Sequence, residues 1–131
     1  MAFINDHLAK LLLRLTIGGM MLFHGFHKVL NGIGGIRAML QSSGWPEFLA
    51  YGVYASELIA PLFVLLGLYS RIASGVIAVN MVAAIYLAYG NALFTLGKYG
   101  APLIETPLLY LIGAFVLIVM GPGRYSIKSN F

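Results

Sequence analysis

Between Ile72 and Leu93 the chain runs for 22 residues without a single Asp, Glu, Lys or Arg. As a helix, such a stretch covers about 33 Å, the depth of the hydrocarbon core of a bilayer. Stretches of similar character occupy 11–30, 48–68 and 103–120. Only 9% of the residues are charged and 60% are hydrophobic, against about 25% charged in a soluble domain. The chain therefore reads as an integral membrane protein. Four spans take up most of its 131 residues, and short spans must pack on one another to hide their polar faces. The expectation is one all-α domain over 1–131, an antiparallel four-helix membrane bundle.

The connections support this order. Gly67-Leu68-Tyr69-Ser70-Arg71 is a tight turn, which makes the second and third spans antiparallel neighbours. Gly121-Pro122-Gly123 ends the fourth, since Pro cannot continue a helix and Gly readily takes the left-handed cap. In the longer link from Asn31 to Glu47, the segment Ile33 to Leu40 reads as a short interfacial or re-entrant helix. Trp45 suits the headgroup level. Asp6 and His7 interrupt the region where a signal peptide would carry positive charge, and Arg14 interrupts the apolar run. The first span is therefore expected to be retained. Lys10, Arg14, Arg71, Arg124 and Lys128 lie on one side of the spans, with Arg37, Lys98 and Lys28 toward the other. This asymmetry places both termini in the cytoplasm. The basic residues form no run of the nucleic-acid-binding kind, so the partner they imply is the bilayer. The chain has no cysteine, which excludes disulfides, thiol exchange and thiolate metal ligands.

Against this apolar background, His24-Gly25-Phe26-His27-Lys28 at the end of the first span is expensive. A central Lys costs about 2.5–3.5 kcal/mol on insertion scales. At 100° per residue Arg14, Gly18, Met21, His24, Gly25 and Lys28 share an arc of roughly 120°. Glycines on that face suit close helix approach. Glu57 lies near the middle of the second span, on a face with Tyr54, Pro61 and Val64. Pro61 lacks the amide that would bond the Glu57 carbonyl, so a kink is expected there. Glu105 lies just inside the outer end of the fourth span. Asn80 lies in the third, on a face with Ala84, Leu87 and Asn91.

Counting 1.5 Å per residue, His24, His27, Lys28, Glu57 and Glu105 fall in the outer half of the membrane. Arg14 and Asn80 fall toward the inner side. Buried charges of opposite sign should pair. Glu57, His24 and Lys28 are thus the candidates for chemistry, with Glu57 taking and giving protons and Lys28 tuning it. A structural ion pair that fixes helix register is the competing reading. His24 and His27 are three residues apart on one helix and His7 is the only other histidine, so no metal site is assigned and haem ligation within one chain is disfavoured. Tyr51, Tyr54, Tyr86, Tyr89 and Tyr110 suit either an interfacial aromatic belt or the flanks of a flat ring.

Four pieces in order resemble the DoxX family of four-helix bacterial membrane proteins. They are His24-Gly25-Phe26-His27-Lys28, Glu57, Leu66-Gly67-Leu68-Tyr69-Ser70-Arg71, and Gly121-Pro122-Gly123-Arg124-Tyr125-Ser126. The resemblance implies a multi-pass protein of the bacterial inner membrane. It implies redox chemistry with quinone as the presumed electron acceptor, linked to sulfur or thiol oxidation or to oxidative-stress defence. A quinone or quinol would sit in the outer half of the bundle, with His24, His27, Tyr54 and Glu105 as the binding candidates. A redox partner protein or a homodimer would complete the system. The alternative is a small proton-coupled transporter or a non-catalytic membrane anchor. A cation exporter is poorly served by Lys28 and two histidines beside its carboxylate.

Overall fold

The computed structural model describes residues 6–90, 94–98 and 100–127. Asn91 and Lys128, used above for the third-span face and for orientation, lie outside them, as does the side chain of Tyr89. Among the described residues there are five helices: α1 (Asp6–Asn31), α2 (Gly34–Ser42), α3 (Glu47–Leu66), α4 (Ser70–Tyr89) and α5 (Glu105–Met120). Helices α1, α3 and α4 are long and apolar enough to cross a membrane. Helix α5 is a shorter apolar helix of 16 residues, about 24 Å long.

The difference at α5 has a local cause. Leu103 was expected to begin the fourth span, but its N–H donates to the Thr95 carbonyl (3.0 Å) and Leu96 pairs with Pro102. Those bonds hold the backbone in a turn until Glu105. The link between the first two spans contains the expected short helix, α2. It begins after Gly32 and ends before Gly44, both at positive φ (+83° and +77°). Helix α3 stops at Gly67, whose φ of 71° is left-handed, while Leu68 N–H bonds back to the Phe63 carbonyl at 2.9 Å. The chain then folds back at once into α4.

The main core joins four helices. It consists of Ile17 and Met21 of α1, Ala60 and Val64 of α3, Ala73, Ile77 and Met81 of α4, and Ala114 and Leu117 of α5. Lipid tails are as apolar as these side chains, so a membrane bundle is held by close van der Waals fit more than by escape from water. The glycines show that fit. A Cβ on Gly18 would lie 3.0 Å from the Pro61 carbonyl oxygen, and one on Gly113 would lie 2.9 Å from Ile17 Cγ1. A second cluster, Ile33, Leu40 and Ala50 with Trp45 and Leu87 against it, seats α2 on α3 and α4.

Arg14 closes the opposite end. It faces inward and is buried. Its Nε donates to the Val64 carbonyl (2.9 Å) and one terminal nitrogen to Leu65 (2.8 Å); the other donates to Pro122 (3.1 Å) and Tyr125 (2.7 Å). The acceptors at Val64 and Leu65 are carbonyls from the last turn of α3, where helical partners run out; the Val64 carbonyl also accepts from the Gly67 amide at 3.1 Å. His7 Nδ1 accepts from the Arg124 amide at 3.0 Å and Ile127 N–H donates to Leu66 at 3.1 Å. The beginning of α1 and the segment after α5 therefore meet at one end of the bundle.

Candidate functional site

The site starts from two glycine-and-proline facts. Pro61 has no N–H to bond the Glu57 carbonyl. The helix accommodates this with a widened π turn over Ala55–Ile59, in which Ala60 N–H bonds to the Ala55 carbonyl. Single π turns are frequent where a helix carries a functional group. Gly25 of α1 faces this turn. A Cβ there would lie 2.7 Å from the Glu57 carbonyl carbon, so only glycine permits the approach. Three residues further along α1, Lys28 is then carried over the Glu57 side chain.

Lys28 Nζ donates to Glu57 Oε1 at 2.6 Å and Oε2 at 2.7 Å. The pair is asymmetric in burial: the Lys28 side chain is 26% exposed and that of Glu57 is 4% exposed. Asn80 Nδ2 of α4 donates to Glu57 Oε2 at 3.3 Å. Tyr54 on α3 fixes the other partner, its hydroxyl donating to the Lys28 carbonyl at 3.4 Å. The carboxylate is thus held by one cationic and one neutral donor from two different helices. Such charge-assisted bonds are the strong ones, and a buried charge requires them.

The depth count placed Asn80 toward the inner side, and the structure corrects it. Glu57 lies ten residues into α3 and Asn80 ten residues into α4, and the two helices run in opposite directions from a shared turn. Both residues therefore reach the same level.

This cluster opens onto a groove of about 870 Å³. Its walls are Ile36, Met39, Leu40 and Trp45 from α2 and its link, Leu49, Gly52 and Val53 from α3, and a stripe of α4 from Ile72 to Ala88. Lys28, Ser56, Glu57 and Asn80 supply its polar part. The shape is that of a ligand site: mostly apolar walls with a few convergent polar groups.

Of the residues singled out from sequence, the structure brings together Glu57, Lys28 and, through the Lys28 carbonyl, Tyr54. The others stand apart from the groove. His24 packs edge-to-face on Tyr110, with ring centroids 5.6 Å apart and planes at 88°. His27 is exposed and receives a bond from Asn31 Nδ2 at 3.1 Å. Glu105 is the exposed first residue of α5. Sequence reasoning put Asn80, Ala84 and Leu87 on one face but missed Asn80 as a partner of Glu57 and that face as the wall of a groove. The signal lay in the spacing: Ile72, Gly75, Val76, Val79, Asn80, Ala83, Ala84, Leu87 and Ala88 recur at three- and four-residue intervals, the period of one helix face.

Comparison with known proteins follows this geometry. Residues 9–90 match the DoxX family, a stretch that runs from the first turn of α1 to the end of α4 and holds every residue of the groove. The chain is also 36% identical over 78 residues to a protein of Bacillus subtilis named "Putative oxidoreductase CatD", a match covering 60% of this chain. It spans 58% of that relative's length. No solved structure matches the chain. With more than half of its length matched by the family's own pattern, the chain belongs to the DoxX family.

Proposed function

We propose that this protein is a redox-linked membrane protein whose groove binds a quinone or quinol, with the ring against Lys28, Glu57 and Asn80. The observation that carries the reading is the buried carboxylate with two nitrogen donors at the side of an elongated apolar groove. A quinone needs a donor for each carbonyl as electron density builds on it. Lys28 Nζ and Asn80 Nδ2 are such donors. A quinol needs an acceptor for the hydroxyl protons it loses, and Glu57 is that acceptor. The family and the relative named as an oxidoreductase support the redox class.

The electrons come from outside this chain. A reduced thiol or sulfur compound is the donor class that the family resemblance implies. Two thiols and one quinone give one disulfide and one quinol, so atoms and electrons balance with no further oxidant. Cysteine is absent from the sequence, so the sulfur belongs to the donor or to a partner protein. The pair argues against cation export. A cationic cargo would be repelled by the Lys28 ammonium, whose nitrogen lies 2.6 and 2.7 Å from the two Glu57 oxygens.

The test is a titration of purified protein with decylubiquinone, alongside extraction of co-purifying lipids. Saturable binding in wild type, lost in Glu57→Gln and Asn80→Leu and kept in His24→Ala, is the expected result. His24, His27 and Glu105 lie off the groove and serve as control positions. Absence of binding in well-folded wild type would overturn the reading and favour the transporter or anchor.

A further inference from the structure

The groove has two unlike halves, and two glycines line it where packing does not ask for them. Along α4 its wall runs from Ile72 to Ala88, about 24 Å at 1.5 Å per residue, with Asn80 at the middle. Toward Ala88 the groove is roofed by α2, where Leu40 is buried at 3% exposure and Trp45 stacks on Tyr86. Toward Ile72 it is open, with Val79 70% exposed and Ile72 60% exposed. Gly52 lines the roofed half and Gly75 the open half. A Cβ on either would meet nothing within 4 Å. Gly18, Gly25 and Gly113 are different, because a Cβ on each would run into a neighbouring helix. Glycine inside a helix is less stable than alanine, so Gly52 and Gly75 are retained at a cost that the bundle's own packing does not explain. What they keep is open width in the groove.

We infer, on the basis of the quinone reading above, that the occupant lies along α4 with its ring in the half roofed by α2, beside Gly52, and its apolar tail in the open half, across Gly75. The ring's carbonyls then meet Lys28 and Asn80 from the side over which α2 lies. The tail lies where the wall merges with lipid and an apolar chain loses nothing by staying in contact with the bilayer. Gly52 sets whether a ring fits, and Gly75 sets whether a tailed ligand is preferred over a bare ring.

Two probes separate these roles: decylubiquinone and its tail-less parent ring, titrated against the full chain in lipid nanodiscs. Gly52→Leu is expected to weaken both probes by about tenfold or more, and Gly75→Leu to weaken only the tailed one by about tenfold. Gly52→Ala and Gly75→Ala, which narrow the groove by one methyl each, are expected to weaken the same probes as the leucine variants, by smaller factors. Melting curves identify any variant that fails to fold, and the alanine pair is expected to melt at or above wild type. Equal losses for both probes in Gly75→Leu, or unchanged decylubiquinone binding there, would overturn the orientation while leaving the quinone site intact. A Gly52→Leu effect confined to the tailed probe would reverse it. Wild type that binds neither probe would overturn the quinone reading and this inference together.

Discussion

Gly25 and Glu57 bring α1 directly against α3: a Cβ on the glycine would lie 2.7 Å from the glutamate's carbonyl carbon. The carbonyl is the one that Pro61 leaves without its helical partner. One glycine and one proline, 36 residues apart in the sequence, together set the helix spacing that lets Lys28 reach the Glu57 carboxylate.

Gly25→Ala is therefore expected to push α1 away from α3 and to destabilise the protein by about 1–3 kcal/mol, the usual cost of overpacking. Gly19→Ala is the matched control, since a Cβ at Gly19 meets nothing within 4 Å. Thermal melting in detergent measures both. A Gly25→Ala variant as stable as Gly19→Ala would mean that the two helices do not meet in this way.

The pair itself makes a second prediction. Removing one member of a buried pair leaves its partner stranded, at about 3–5 kcal/mol, whereas removing both is milder. Glu57→Ala with Lys28 retained should lie toward the lower end of that range, because the Lys28 side chain is 26% exposed and its ammonium can turn toward the membrane surface. The double variant Glu57→Ala, Lys28→Ala should recover part of the loss. If single and double variants melt alike, the two charges are not coupled.

Much of the bundle was legible because the bilayer limits the options so strongly. Length and apolarity located α1, α3 and α4, and glycine located the ends of α3 at Gly67 and of α5 at Gly121. The shared face of Gly18, Gly25 and Lys28 followed from helical period alone, and Pro61 beside Glu57 announced the irregular turn. The site was half legible. A lone mid-span carboxylate demanded a cation, and Lys28 was at hand, but its third partner depended on how far α4 is offset along α3. Asn80 was misplaced in depth because that offset is set by where the Gly67 turn falls, only a residue or two from the span limits assumed. The groove was not legible at all. It is a property of α2 lying over α3 and α4, and no periodicity in one segment reports where a neighbour leaves a gap.

Arg14 supports a third prediction. Its guanidinium serves four carbonyls, two from the end of α3 and two from the segment after α5. Lysine, with one ammonium and no planar fork, cannot span them. Arg14→Lys and Arg14→Met are both expected to destabilise the fold, Arg14→Met by about 3 kcal/mol or more, since several buried acceptors lose their donors. Limited proteolysis should detect release of 121–127 before the bundle unfolds. Protection of that segment equal to wild type in both variants would mean that Arg14 does not hold it.

The last prediction concerns orientation. His7 and Arg124 are bonded to each other, so the beginning of α1 and the segment after α5 share one end of the bundle. Lys10, Arg71 and Arg124 lie at that end, and Arg37 lies at the end roofed by α2. Positive charge close to span ends is retained in the cytoplasm, so that end is expected to face the cytoplasm. Reporters fused separately to each terminus should both be active only in the cytoplasm. The groove's roofed half would then face the outside, and so would the approach of the proposed electron donor. A periplasmically active reporter at both termini would keep the fold and turn the roofed half inward, which would move the electron donor to the cytoplasmic side. Opposite locations for the two reporters would break the His7–Arg124 contact and overturn the arrangement of α5.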